Sequence, residues 1–338
     1  MKKHVSRISF LALSLSLLLT ACGGGAGSTS QGGDAAAGDK KRIALVMRQD
    51  VGTFSAQYIS GVKAEVEKNG GELTVFNANT DLAKMASNLD AAVNQNFDGI
   101  LIDHGTAEAL QQGTQKAVDK KIPVVLFDTD ISIPGVPVVE QDDQKLAELS
   151  LEQLASDHNG KGNIVKIWVA GFAPMEKRQV KYEEFLKKYP DIKEIAAFGS
   201  ATNNTAVDTQ TQMEAILRQY PNKGDITAVW AAWDEFAKGA TRAIQQAGRT
   251  EIKVYGIDLS DEDLQLMQAD NSPWAATAAV DPSNIGRIHA ETVFKKIKGE
   301  EVPDSVKLNP LLVKQDDLPK DKKVTMAELS QYITEWGK

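Results

Sequence analysis

Short apolar runs in this sequence lead repeatedly into carboxylates, rings and an occasional guanidinium. Residues 43–47 are followed by Arg48, Asp50, Thr53 and Phe54, residues 99–102 by Asp103 and His104, and residues 124–127 by Asp128, Thr129 and Asp130. In the second half the same positions hold Trp168, Phe172, Met175 and Arg178, then Asn203 and Asn204, then Trp233 and Asp234, then Asp258. Carboxylates that accept paired hydroxyls, beside rings that stack on CH faces, are the groups a carbohydrate or polyol site needs. An Asp just after a strand equally suits a helix N-cap, an alternative that stays open for Asp234 and Asp258, and Trp230 fits a core position better than a site.

Other chemistries lack their parts. The sequence has no GxxxxGK[ST], HExxH or GxSxG, and the glycines at 23–27 fall in a low-complexity stretch. Its four histidines, His4, His104, His158 and His289, are too dispersed to propose a metal site, and no cofactor is expected. Asp128 and Asp130 with Asp258 could form an acid/base pair for glycoside hydrolysis, which spacing alone leaves open. The balance of 38 Lys and Arg against 46 Asp and Glu, a net charge of −8, argues against nucleic acid, because phosphate binding requires a basic face. A single Cys rules out an internal disulfide and a CxxC pair.

These residues need elements to position them. Strands are expected at 43–47, 73–76, 99–102, 124–127, 136–139, 164–169, 195–198, 228–231, 254–257, 276–279 and 311–313, mostly continuous apolar runs such as parallel strands covered on both faces carry. Between them Tyr58, Ile59, Val62 and Val66 line one helical face, and Leu82, Met85, Leu89, Ala92 and Val93 another. Breakers such as Asn69-Gly70-Gly71 and Tyr220-Pro221-Asn222 keep the connections short. A βαβα series over 338 residues predicts an α/β fold of two doubly wound parallel-sheet lobes, with ligand beyond the carboxyl ends of the strands.

The first 22 residues have a different character. Lys2, Lys3 and Arg7 precede an apolar run and then Leu19-Thr20-Ala21-Cys22, an export signal too short to be a stable membrane span. The ending looks like the lipobox of bacterial lipoproteins, which implies lipidation at Cys22 and removal of a signal peptide spanning 1–21. That removal takes away three basic residues and no acid, moving the net charge from −8 to −11. Residues 22–40 hold no apolar side chain larger than Ala after the Cys and read as a flexible tether.

From about Lys41 to Gln315 the sequence resembles the sugar-binding type I periplasmic binding proteins, the ribose and galactose group of ABC importers. KRIALVMRQDVGTFSAQYISGVKAE matches the first strand and helix, with Phe54 at the family's stacking aromatic. FDGILIDHGTAEAL and IPVVLFDTDIS match the next contact strands and imply Asp103 and Asp128; PMEKRQVKYEE implies Arg178 as donor to sugar oxygens. VWAAWDEFAKGATRAI and KVYGIDLSDED match later contact loops and imply Trp233, Asp234 and Asp258. Three positions depart from ribose-type members: Trp233 replaces a common Asn, Thr129 a common Arg, and Val280 a common Gln. These changes remove amides and a positive charge and add a ring, so the expected ligand is a less polar deoxy-sugar, a polyol or a cationic amino-sugar rather than ribose itself.

The resemblance further implies lobes at 41–141 plus 281–308 and 142–280 plus 309–338, with hinge crossings near Gln141, Val280 and Leu308. It implies a monomeric, non-enzymatic protein lipid-anchored to the cell membrane on its extracytoplasmic side, capturing a small sugar or polyol for an ABC transporter permease. Presentation of ligand to a membrane sensor is the alternative. Lactose-type repressors share the core, but an export signal stands here where their DNA-binding segment would be. Met326, Leu329, Tyr332, Ile333 and Trp336 have helical spacing and predict a terminal docking helix.

Overall fold

The apolar runs become strands because each is covered on both sides. In the computed structural model, which describes residues 40–337, β1 (Arg42–Met47), β3 (Gly99–Asp103) and β4 (Val124–Phe127) are buried almost throughout. The expected signal peptide, the Cys22 lipidation site and all but the last residue of the tether lie outside the described residues.

Two six-stranded sheets are formed. The first has the order β11-β5-β4-β3-β1-β2, adding β2 (Glu72–Asn77), β5 (Val138–Gln141) and β11 (Ser305–Leu308). The second has the order β12-β10-β9-β8-β6-β7, from β6 (Lys161–Ile167), β7 (Asp191–Phe198), β8 (Ala228–Ala231), β9 (Lys253–Ile257), β10 (Trp274–Ala279) and β12 (Leu311–Lys314). All pairs are parallel except β10 with β12, where Ala279 opposes Leu311. The chain passes between the sheets three times: from β5 into α4 (Asp143–Asp157), from β10 into α9 (Pro282–Ile297), and through Asn309 and Pro310 from β11 to β12.

Helix α1 (Gly52–Lys68) packs on α9 at very close range. A Cβ at Gly61 would run into the Ser283 carbonyl, and one at Gly286 into the Tyr58 carbonyl. The expected helical face is buried at Tyr58, Val62 and Val66, with Ile59 half-buried. Trp230 lies in the second lobe's core, stacked on Tyr182 at 4.9 Å with its Nε1 donating to Ser150 Oγ at 3.0 Å.

Several boundaries differ from the sequence expectation. β11 was not expected, because its residues SVKL are mostly exposed and form no apolar run. β5 starts two residues later than the apolar pattern suggests, and β7 starts four earlier, with polar residues on its exposed edge. The terminal segment docks as expected, with Met326, Leu329 and Trp336 buried in the second core, but it does so as a short 3-10 turn at Met326–Gln331 rather than an α-helix.

Candidate functional site

The carboxyl ends of the strands in both sheets face a common cavity with about 60 Å³ open to the centre of a water-sized sphere, or about 650 Å³ when all the space between its walls and at its mouth is counted. From the first lobe, Gln49 follows β1, Asp103 ends β3 and His104 follows it, Phe127 ends β4, Gln141 ends β5, and α1 adds Phe54 and Tyr58. From the second lobe, Val169, Phe172 and Met175 follow β6, Arg178 projects from α5 (Ala173–Lys188), Trp233 follows β8 and Asp258 follows β9.

Three of these strand ends are held in the left-handed region of backbone space without being glycine: His104 at φ 58°, Asp128 at 45° and Asp258 at 71°. Such conformations carry strain and are maintained only where the surroundings over-determine them, commonly at binding sites. Here they fall where the chain leaves the sheet, and His104 and Asp258 line the cavity while Asp128 does not.

The charges inside the site are matched to one another. Arg178 Nε donates to Asp143 Oδ1 at 3.0 Å, Nη1 to the Ala232 carbonyl at 2.6 Å, and the two terminal nitrogens meet the Asp258 carboxylate at 3.3 and 3.4 Å. Burial pushes Asp258 up to about 6 although Arg178 pulls it down. His104 Nδ1 bonds Asp103 Oδ1; burial opposes its charge, but the adjacent carboxylate raises it to about 9, so the imidazole is cationic at neutral pH.

Asp128 and Asp234, both expected to touch ligand, do not line the cavity. Asp128 is fully buried behind it and accepts from Gln141 N at 3.1 Å and Gln141 Nε2 at 3.3 Å; burial, with repulsion from Asp143, lifts it to about 8. Asp234 is the first residue of α7 (Asp234–Gln246) and pairs with Lys238 at 3.3 Å, in a buried cluster with Glu235 and Asp263. Phe54, Asp103, Arg178, Trp233 and Asp258 are brought together at the cavity. Arg178, however, spends its N–H groups on protein acceptors, so its geometry is that of a residue holding Asp258 in place.

The expected contacts also omitted Gln49, Tyr58 and Gln141, and His104 was named as a strand-end residue but not as a contact. Gln49 Oε1 and Gln141 Oε1 are buried without a protein partner while their residues line the cavity, which leaves them free for ligand groups. The signal for Gln49, His104 and Gln141 was the strand-end rule already used for the aspartates.

The lobes also touch each other around the cavity. Arg48 Nη1 donates to the Gly171 carbonyl at 2.6 Å, with its guanidinium 3.5 Å from the Phe172 ring centroid. Gln57 and Asp261 exchange two hydrogen bonds at 2.8 and 3.1 Å, Thr53 donates to Glu262 at 3.2 Å, and Lys177 to Glu140 at 2.7 Å.

A two-lobed α/β protein with a cavity between facing strand ends is the architecture of bilobal solute receptors, and the periplasmic binding protein domain family matches residues 43–301. The chain belongs to that family. Among curated relatives it is 27% identical to the ribose import binding protein RbsB of Bacillus subtilis, over 90% of this chain and 97% of that protein. It is 29% identical to the xylitol-binding protein of Mycolicibacterium smegmatis, over 74% of this chain and 69% of that protein. A sugar ABC transporter structure from Yersinia enterocolitica superposes with a TM-score of 0.86 at 39% identity, covering 88% of this chain and 90% of that one. The 5-methylthioribose transporter solute-binding protein of Thermotoga lettingae, in complex with 5-methylthioribose, gives 0.85 at 37% identity, covering 88% and 93%. The protein is thus a sugar-binding type I periplasmic binding protein of the ABC importer class, with an extracytoplasmic place of action and no enzymatic role.

Proposed function

We propose that the protein is a lipid-anchored receptor that captures one small, neutral sugar or polyol between its lobes and delivers it to the permease of an ABC importer. The observation that carries this reading is the cavity itself, to which both lobes contribute polar strand ends and rings. In the proposed mode Phe54 and Trp233 cover the CH faces of the ligand, Asp103 and Asp258 accept its hydroxyl hydrogens, and His104 with the free oxygens of Gln49 and Gln141 completes the hydrogen bonding. Asp128 acts from behind by holding Gln141.

The charge pattern favours a neutral ligand over an amino-sugar. Asp258 is paired with Arg178, Asp143 with Arg178 and with Lys177 at 4.0 Å, and Asp103 with His104, while Asp128 is lifted to about 8 by burial and so keeps its proton at neutral pH. A cationic ligand would therefore find no unpaired buried carboxylate. The relatives named for ribose, xylitol and 5-methylthioribose support a ligand of that size.

The crossings at 142, 280–281 and 309–310 are the proposed hinge, and ligand favours the closed form by the contacts it makes to both lobes. Among the described residues no helix is long and apolar enough to cross a membrane, and anchoring is assigned to acylated Cys22, since two or three acyl chains hold a soluble domain at a bilayer. A thermal-shift screen of sugars and polyols on the soluble domain tests the reading, because a ligand bound only by the folded state raises the melting temperature. Absence of any stabilising sugar or polyol would refute it. Cys22→Ser should release the protein from the membrane; a variant that stays lipidated would refute the anchor.

A further inference from the structure

The two lobes contribute unlike surfaces to the cavity. The first lobe brings the polar Gln49, Asp103, His104 and Gln141, set beside the rings of Phe54 and Phe127. From the second lobe, the connection between β6 and α5 contributes Val169, Phe172, Pro174 and Met175, and Trp233 joins them. None of these five presents a hydroxyl, an amide or a charge except the indole N–H. The second lobe's own polar pair, Arg178 and Asp258, is joined at 3.3 and 3.4 Å, so on this side only the remaining lone pairs of Asp258 are left for a ligand hydroxyl.

That apolar wall is held rigid. The guanidinium of Arg48 covers Phe172 at 3.5 Å from the ring centroid, and Trp168 Nε1 donates to the Met175 carbonyl at 2.8 Å. Trp233 is pinned edge-on against Phe236, with ring centroids 5.4 Å apart. A sugar bearing hydroxyls at every carbon would strip water from one of them at this wall and give it no partner, whereas an apolar group there loses nothing on desolvation. Rings beside a thioether side chain are also favourable neighbours for a ligand sulfur.

Resting on the reading of the cavity as a sugar site, we infer that the ligand is a pentose with one terminal hydroxyl replaced by an alkylthio group. Its remaining hydroxyls meet the polar strand ends of the first lobe, and its alkylthio arm lies against Phe172, Met175 and Trp233. The wall thereby sets specificity: it rejects the free terminal hydroxyl rather than recognising a further one.

Titration calorimetry on the wild-type protein with 5-methylthioribose, ribose and xylitol tests this. The alkylthio sugar is expected to bind at least tenfold more tightly than either of the others. Met175→Gln, which keeps length and adds an amide, is expected to lower the ratio of the 5-methylthioribose to the ribose affinity, with melting curves showing that the variant folds. Ribose or xylitol binding as tightly as 5-methylthioribose would overturn the inference and leave the sugar-binding reading intact. Failure of all three to bind, while another class of solute does, would overturn both.

Discussion

Arg178 holds the Asp258 carboxylate with both terminal nitrogens, at 3.3 and 3.4 Å, while its Nε donates to Asp143 at 3.0 Å. All three side chains are almost wholly buried, so the guanidinium is the counter-charge that allows Asp258 to stand at the cavity with Asp143 buried behind it. Replacing it by Gln leaves Asp258 buried without a cation and Asp143 with Lys177 alone, at 4.0 Å, and breaking a buried pair from one side costs about 3–5 kcal/mol. Arg178→Gln is expected to lower unfolding free energy by about that amount in urea denaturation. Asp258→Asn keeps the shape and should fold, but weaken sugar binding by roughly 10- to 100-fold, as loss of a charged acceptor does. An unchanged affinity would remove Asp258 from the ligand's contacts.

Trp233 tests the stacking wall. Its ring lines the cavity and is only half-buried in the protein, so its remaining surface is available to ligand. Trp233→Ala is expected to weaken binding by roughly 10- to 1000-fold, at about 1.4 kcal/mol per tenfold. Calorimetry showing unchanged affinity would show that the ring packs for stability alone.

Closure can be tested at Gly52, where the first lobe meets Glu235 of the second with no room for a side chain. Its φ is +73°, and a Cβ there would run into the Glu235 carboxylate, itself tied to buried Lys238. Gly52→Ala adds a left-handed penalty of about 1–2 kcal/mol and props the lobes apart. Its sugar affinity should fall by tenfold or more, and solution scattering should show less ligand-induced compaction than in the wild type. Full compaction with ligand in the variant would show that this contact does not limit closure.

Most of the fold was legible because parallel strands buried on both faces must be continuous apolar runs, as in β3 and β4, whereas the exposed edge strand β11 carries no such run. The site was legible as a set of strand ends but not in its detail. Of Phe127 and Asp128, and of Trp233 and Asp234, the aromatic lines the cavity and the aspartate does not. Sequence adjacency carries no sign of that choice. His104 lines the cavity beside Asp103 in a left-handed conformation that the residue type does not announce, and Asp128, in the same region of backbone space, does not line it. The role of Arg178 was hidden as well, because Asp143 and Asp258, which occupy its donors, lie 35 and 80 residues away.

The last prediction follows from the protons held in the site. His104 is raised from 6.5 to about 9 by Asp103 against the opposing effect of burial, and Asp128 from 3.8 to about 8 by burial and Asp143. Both groups bind their protons more tightly in the folded chain than in the unfolded one, so stability falls as pH rises wherever the folded form holds the extra proton. The contribution of His104 is complete below about pH 6.5 and is lost as pH rises through about 9; that of Asp128 declines across the interval up to about 8. His289, lowered to about 4 by burial, acts in the opposite sense, but only between about pH 4 and 6.5. The melting temperature should therefore fall between pH 7 and pH 9, and Asp128→Asn, whose amide mimics the protonated acid toward Gln141 N, should fall less over the same range. A wild-type melting temperature that is flat or rising from pH 7 to 9 would mean that these two groups titrate in the fold as they do in the open chain.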